Sequence, residues 1–198
     1  MMKTDRRVRR TRALLQQALI DLVGERRYEA ITIRDITDRA DVARATFYLH
    51  YTDKDDLFMG CHEAIVGAFH FGPRHPRSRD ELLSPDAPPG LVAAYRHLAD
   101  APAPVQRLFR NQDDPQILGR LHDWSARDIE ASLRAAFAEA DSTIPLDVLA
   151  NHLAGAQLAL VQWWLEQRPS HTPEAVAQAC HRLQRAAIRE AFGLGEGE

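Results

Sequence analysis

The sequence predicts an all-α fold, a small N-terminal unit of three helices followed by a larger helical body, and three observations carry that expectation. Apolar residues recur at spacings of three and four almost throughout, as in Leu15, Ala18, Leu19 and Leu22, which line one face of a helix. No run of alternating β-branched residues bounded by hairpin turns occurs, so strands are not expected. Between residues 32 and 50 two short apolar patterns flank a single turn, the layout of a helix-turn-helix.

Taken in order, a first helix carries the Leu15–Leu22 face and stops at Gly24. Thr32 opens a second, because "TIRD" places Asp35 three residues on, as a capping box requires. Ile33, Ile36 and Ala40 form its inner face. Asp41 follows where the chain must turn sharply, and Asp tolerates the left-handed conformation better than most residues. A third short helix is expected over about 43–50. Thr52, with Asp55 three residues on, is expected to cap a fourth over 53–71. Residues 72–90, "GPRHPRSRDELLSPDAPPG", hold five prolines, so a loop without a packed helix is predicted there. The resulting division is 1–52 and 53–198. Helices then resume at about 91–100, after Pro104, from about Pro115 to Ala140, and over 146–167. Asp113 and Asp114 read as the start of the Pro115 helix. Thr172 as N-cap and Pro173 at the first position begin the last one.

With 198 residues, 45% hydrophobic and 27% charged, the chain has an ordinary globular balance and can bury a core without disulfides. Cys61 and Cys180 are far apart and show no finger spacing, so a reducing cytoplasm is the expected setting and a zinc site is not. The basic start lacks the apolar stretch of a signal peptide. The apolar run "AGAQLALVQWWL" is too short and too interrupted to span a bilayer, so no membrane partner is expected. The net charge of −3 divides unevenly, +4 over residues 1–54 and −7 over the remainder. A basic end on an acidic body points to an anionic partner at that end.

The stretch "DVARATFYLHYTDKDDLF" mixes Phe47, Tyr48, Tyr51 and Phe58 with Arg44, His50 and Lys54. At 100° per residue, Phe47 and Tyr51 share one side with Val42 and are expected to be core. Arg44, Thr46, Tyr48 and His50 fall outside that side and make a surface that fits a major groove. Arg44 either reads a guanine edge or clamps a phosphate. Arg6 to Arg12 either follow phosphates, reach a minor groove or form a solvated tail.

The stretch "AITIRDITDRADVARATFYLHYTDKDDLF" resembles the tetracycline-repressor (TetR) family of bacterial transcription regulators over about the first 60 residues. The resemblance implies an N-terminal helix-turn-helix DNA-binding domain and a helical ligand-binding and dimerisation domain. It implies a sequence-specific regulator, a repressor by the family's common pattern. Such a regulator binds a palindromic double-stranded DNA operator as a homodimer and is released by a small-molecule effector. By position, Thr32, Arg34, Ala43, Arg44, Thr46, Tyr48, His50 and Lys54 are the DNA-binding candidates. Asp41 stands where the family often has Gly, and Ala43 where Ser or Thr is common. Leu49 stands where a polar or aromatic residue is frequent, and it either reads a thymine methyl or packs.

In the body, Tyr95, Phe109, Trp124 and Trp163 are candidates to line an effector pocket. Leu153, Ala156, Leu160, Trp164, Val176, Cys180 and Leu183 follow heptad-like spacings on the last two helices and are the dimer-interface candidates. No nucleophile elbow, phosphate loop, metalloprotease motif or dinucleotide fingerprint is present, so no enzymatic activity and no cofactor are expected. His62, His70 and His75 near Cys61 match no metal spacing, so no metal site is expected. An enzyme is the runner-up class and a non-specific structural DNA binder the third, and the mixed Arg, Thr and Tyr surface argues against the latter.

Overall fold

The computed structural model describes residues 2–66, 77–101, 103–110, 115–138, 140–167 and 171–195, and among them there are helices and no strands. Helix α1 (Met2–Glu25) is followed by a 3-10 turn (Tyr28–Ala30), α2 (Ile33–Ala40), α3 (Arg44–Phe47) and α4 (Lys54–Val66). The body contains α5 (Arg79–Leu83), α6 (Pro89–Asp100), α7 (Ala103–Arg110), α8 (Pro115–Ala136), α9 (Leu146–Gln167) and α10 (Pro173–Ala191). No described helix is long and apolar enough to cross a membrane.

The capping expectation at Thr32 holds in detail. Its hydroxyl accepts from the Asp35 amide at 3.2 Å, and the Asp35 carboxylate accepts from the Thr32 amide at 2.8 Å. Both partners satisfy donors that the first helical turn leaves without intrahelical acceptors. Thr172 and Pro173 begin α10 as expected.

Three boundaries differ from the sequence expectation, each for a local reason. The third helix is a single α turn; beyond it Leu49, His50 and Tyr51 donate to Thr46, Phe47 and Phe47 in tightening turns. The cap of α4 is Asp53, whose carboxylate accepts from the Asp56 amide at 2.8 Å. Thr52 instead gives its own amide and hydroxyl to Asp56, so the cap lies one residue later than the sequence pattern indicates. The predicted loop over 72–90 contains α5, closed by a Ser78–Glu81 capping box and buried through Leu82. Its five residues carry no proline; Pro85 and Pro88 lie beyond it and Pro89 opens α6, where a missing N–H costs nothing. Residues 67–71 of the predicted fourth helix, and the Asp113–Asp114 pair, lie outside the described residues.

Two apolar clusters fill the molecule. The first begins with Leu15, Leu19 and Leu22 of α1, takes in Ile36, Phe47 and Phe58, and continues into Tyr95, Leu98, Trp164 and Val176 of the body. Packing therefore runs unbroken across the expected division at 52/53. The second lies farther along the body, around Leu133, Leu153 and Ile188, with Phe137 stacked on Phe192 at 4.0 Å between centroids.

Candidate nucleic-acid interface

The geometry of the reading surface follows from one backbone reversal. Asp41 adopts φ 52° and ψ 49°, the left-handed region, and is the sole described non-glycine residue with positive φ. Its side chain is short and polar enough to bear that strain. The Val42 amide then donates to the Thr37 carbonyl at 3.0 Å, turning the chain sharply from α2 into α3.

Phe47 and Tyr51 point into the core, as the sequence predicts. The Tyr51 hydroxyl accepts from Arg12 Nε at 3.2 Å and Gln16 Nε2 at 3.0 Å, and Gln16 also donates to the Gly60 carbonyl at 2.9 Å. The inner side of α3 is thus tied to α1 and α4. Its outer side is open. Arg44 and Tyr48 are exposed, Thr46 and His50 half-buried, and Leu49 is 79% exposed. The Arg44 guanidinium donates to the Tyr48 hydroxyl at 3.3 Å and lies 5.8 Å from its ring centroid. The pair presents one cationic, hydrogen-bonding edge, and Ala43 beside it is exposed.

The remaining DNA-binding candidates are more engaged. The Thr32 hydroxyl donates to Asp35 at 2.6 Å, so its proton is committed to the cap. Arg34 is exposed and pairs with Asp38 one turn on. Lys54 Nζ donates to the carbonyls of Tyr28 and Ile31 at 2.7 and 2.8 Å and lies 4.1 Å from the Tyr28 ring centroid. It buttresses the turn beneath the reading surface. Arg6, Arg7, Arg9 and Arg10 are exposed on α1.

Residues 15–60 match the model of the bacterial regulatory proteins, tetR family. A curated relative, an uncharacterized HTH-type transcriptional regulator, YxbF of Bacillus subtilis, is 27% identical over 177 residues, 88% of this chain. The chain spans only 44% of that relative's length. A solved TetR transcriptional regulator from Streptococcus agalactiae is 27% identical, with a TM-score of 0.56 over 92% of this chain and 98% of that one. The chain is similar to TetR-family regulators. The dihydroxyacetone kinase operon activator DhaS shares the fold, with a TM-score of 0.54 at 15% identity over 92% of this chain and 98% of that one. The TetR family and the curated relative are transcriptional regulators rather than enzymes.

The body residues separate by burial. Tyr95 and Phe109 are buried, and Trp124 is half-buried. Trp163 is 42% exposed on the outer face of α9, whereas Trp164 is 6% exposed and packs edge-on against Tyr95 at 5.6 Å. The two neighbours differ because one residue along a helix is a rotation of 100°. Of the dimer candidates, Leu153, Trp164, Val176 and Cys180 are core residues of the single chain, which corrects their assignment to an interface. Their heptad spacing meets neighbours within this chain. Ala156 and Leu183 are exposed and Leu160 half-buried, on the outward side with Trp163.

A link between the DNA-binding head and the body was not legible in the sequence. The buried Tyr28 donates its hydroxyl to Asp55 at 2.6 Å, and Arg120 of α8 pairs with the same carboxylate. The Arg120 guanidinium also lies 5.6 Å from the Tyr28 ring centroid. Burial first, then the Asp55 carboxylate, push the Tyr28 hydroxyl well above its usual pKa, so it remains a donor at any physiological pH. The one available signal was an aromatic residue inside the polar turn "ERRYEA". No group of three or more potential metal ligands occurs among the described residues. His62's side chain, and His70 and His75 altogether, lie outside them.

Proposed function

We propose that this chain is a sequence-specific transcription regulator that grips a palindromic operator as a homodimer, one α3 in each of two major grooves, and leaves it when a small molecule occupies the body. The repressor reading follows the family's common pattern. The observation that carries the proposal is the open outer side of α3, with Arg44 and Tyr48 joined into one edge while the inner side is anchored on α1 and α4. A single-turn helix cannot hold its own shape in water; here the core holds it.

Selection of bound duplexes from a random DNA library, followed by gel-shift titration, tests this reading. A two-fold-symmetric consensus is expected. Arg44→Ala is expected to cost about 1–3 kcal/mol on the consensus and less on scrambled DNA. Lys54→Ala is expected to weaken binding to all sequences alike. Recovery of no consensus at all, with equal losses in both variants, would demote the protein to a non-specific DNA binder.

Support for a second copy comes from the outer faces of α9 and α10. Ala156, Ala159 and Trp163 on α9 and Ala179, Leu183 and Ala186 on α10 are all exposed. A monomer rarely leaves that much apolar surface contiguous, and two such helix pairs form a four-helix bundle.

For release, the Tyr28–Asp55–Arg120 link is the coupling element. Any displacement of α8 moves Arg120 and, through Asp55, the start of α4. Specific binding requires the two heads about one DNA turn, roughly 34 Å, apart, so a small shift at α4 misplaces one head. Arg120→Met is expected to leave ligand-free operator affinity nearly unchanged and to blunt the ligand's effect on it. Full release by ligand in that variant would rule this route out.

A further inference from the structure

The outer side of α3 has a crest, and the crest is apolar. Phe47 points inward, and successive residues turn by about 100° in an α turn and by about 120° in a tighter one. Ala45, two residues before Phe47, and Leu49, two after it, therefore both lie on the far side from the core. Their accessibility agrees. Ala45 is exposed, and Leu49, at 79%, is the most exposed large apolar side chain among the described residues. Arg44 and Tyr48 occupy one flank of this crest, joined through the Tyr48 hydroxyl. Thr46 and His50, both half-buried, occupy the other. Hydrogen bonds fix the backbone under the crest: the His50 and Tyr51 amides both donate to the Phe47 carbonyl, at 2.9 and 3.0 Å, and the Leu49 amide donates to the Thr46 carbonyl at 3.2 Å.

A single exposed leucine on an ordinary surface needs no explanation. A leucine on the crest of a surface whose flanks are cationic and hydroxyl-bearing does, because folding leaves it in water. Neither Ala45 nor Leu49 carries a donor or acceptor, so this strip cannot recognise the hydrogen-bonding edges that distinguish guanine, cytosine and adenine in a major groove. The apolar group that a base pair presents there is the C5-methyl of thymine. The flanks select the same partner. The Arg44 edge and the exposed Arg6, Arg7, Arg9 and Arg10 of the same head attract a polyanion, whereas an apolar protein surface would have to strip water from the charge beside Leu49 without compensating it.

We infer that Leu49, with Ala45 beside it, is the thymine-reading strip of α3, and that its side chain seats against the C5-methyl of one thymine in each operator half-site. This rests on the proposed sequence-specific regulation and adds a base identity to it. The favourable term is the removal of a methyl and an isobutyl group from water, so the preference is for the methyl itself and not for the pairing identity of the base. Uracil pairs as thymine does but lacks the methyl, and it should be disfavoured. 5-Methylcytosine pairs as cytosine does but carries the methyl at the same place in the groove, and it should be favoured over cytosine.

The duplex recovered by library selection supplies the probe. Each thymine of one half-site, together with its symmetry mate, is replaced in turn by uracil, and the full chain is titrated by gel shift. One position is expected at which uracil weakens binding by about tenfold over the two half-sites. With cytosine placed there instead, 5-methylation of that cytosine should recover affinity by a similar factor. Leu49→Ala should bind the thymine and uracil duplexes to within about twofold of each other, and it should melt at the parent's temperature, because the side chain has little to lose within the chain. A consensus without thymine, or one whose thymines all tolerate uracil, overturns the inference and leaves sequence-specific recognition standing. A uracil penalty that persists unchanged in Leu49→Ala does the same. A lower melting temperature or altered sedimentation of Leu49→Ala would assign the side chain to a protein contact and likewise overturn it. Failure to recover any consensus would refute the regulatory function and this inference together.

Discussion

Gly60 shows how much a single hydrogen atom controls in the DNA-binding head. A methyl group there would lie 2.8 Å from Cε1 of Tyr51 and 3.2 Å from its hydroxyl, closer than packed carbon atoms tolerate. Tyr51 is buried against Phe47 at 5.9 Å between centroids and is held by Arg12 and Gln16, so it cannot swing aside cheaply. Gly60→Ala is therefore expected to destabilise the chain by about 1–3 kcal/mol, as overpacking does, although alanine is the better helix former. Urea denaturation checks the magnitude. Operator affinity should fall with it, because the displaced ring lies directly beneath α3. Higher stability in the variant would mean that Tyr51 yields easily and does not fix the reading surface. This constraint was not legible in the sequence, where Gly60 is one glycine inside an unremarkable helix. Phe47 and Tyr51 were legible, because their spacing alone sets them on the inner side.

Among the elements, those that carry their own chemical punctuation were the readable ones. Helix α2 has Thr32 and Asp35 at its start and a left-handed Asp41 at its end, and the sequence located both. Elements defined by tertiary contact were less readable. Nothing local distinguishes Trp163 from Trp164, and only the packing of Tyr95 on α6 selects which one turns inward. Helix α5 was obscured by the prolines around it; its position depends on Gln178, which accepts from the Ala87 amide and donates to the Pro85 carbonyl, at 2.8 and 2.9 Å. The start of α2 makes a prediction of its own. Hydrogen bonds from the Thr32 hydroxyl and then its amide, with Arg26 adding less, hold the Asp35 carboxyl down at about 2. A carboxylate whose pKa is lower in the folded state stabilises it above the unfolded value near 3.8, and the contribution fades as pH falls toward 2. Thr32→Ala is thus expected to lose about 1 kcal/mol at neutral pH, and the gap from the parent should narrow steadily between pH 5 and pH 2. Parallel stability curves across that range would show that the box contributes nothing through its charge.

At the scale of the whole molecule, the question is how a chain with an ordinary core leaves leucine and tryptophan in water. Leu183 is 70% exposed, and Trp163 faces the same side. Scattered exposed apolar residues need no explanation; a row of them along two adjoining helices does. Leu183→Glu separates the consequences. Within one chain the residue contacts little, so the variant's unfolding free energy, measured at a concentration too low for dimers, should match the parent's to within about 0.5 kcal/mol. Sedimentation at higher concentration should find the parent dimeric and the variant monomeric, because a charge in the middle of an apolar interface has no partner. Operator affinity should then collapse toward that of a single half-site, since the second head no longer arrives tethered to the first. A variant that remained dimeric and bound the operator normally would place the contact between copies on another face, and the exposed row on α9 and α10 would need a different occupant.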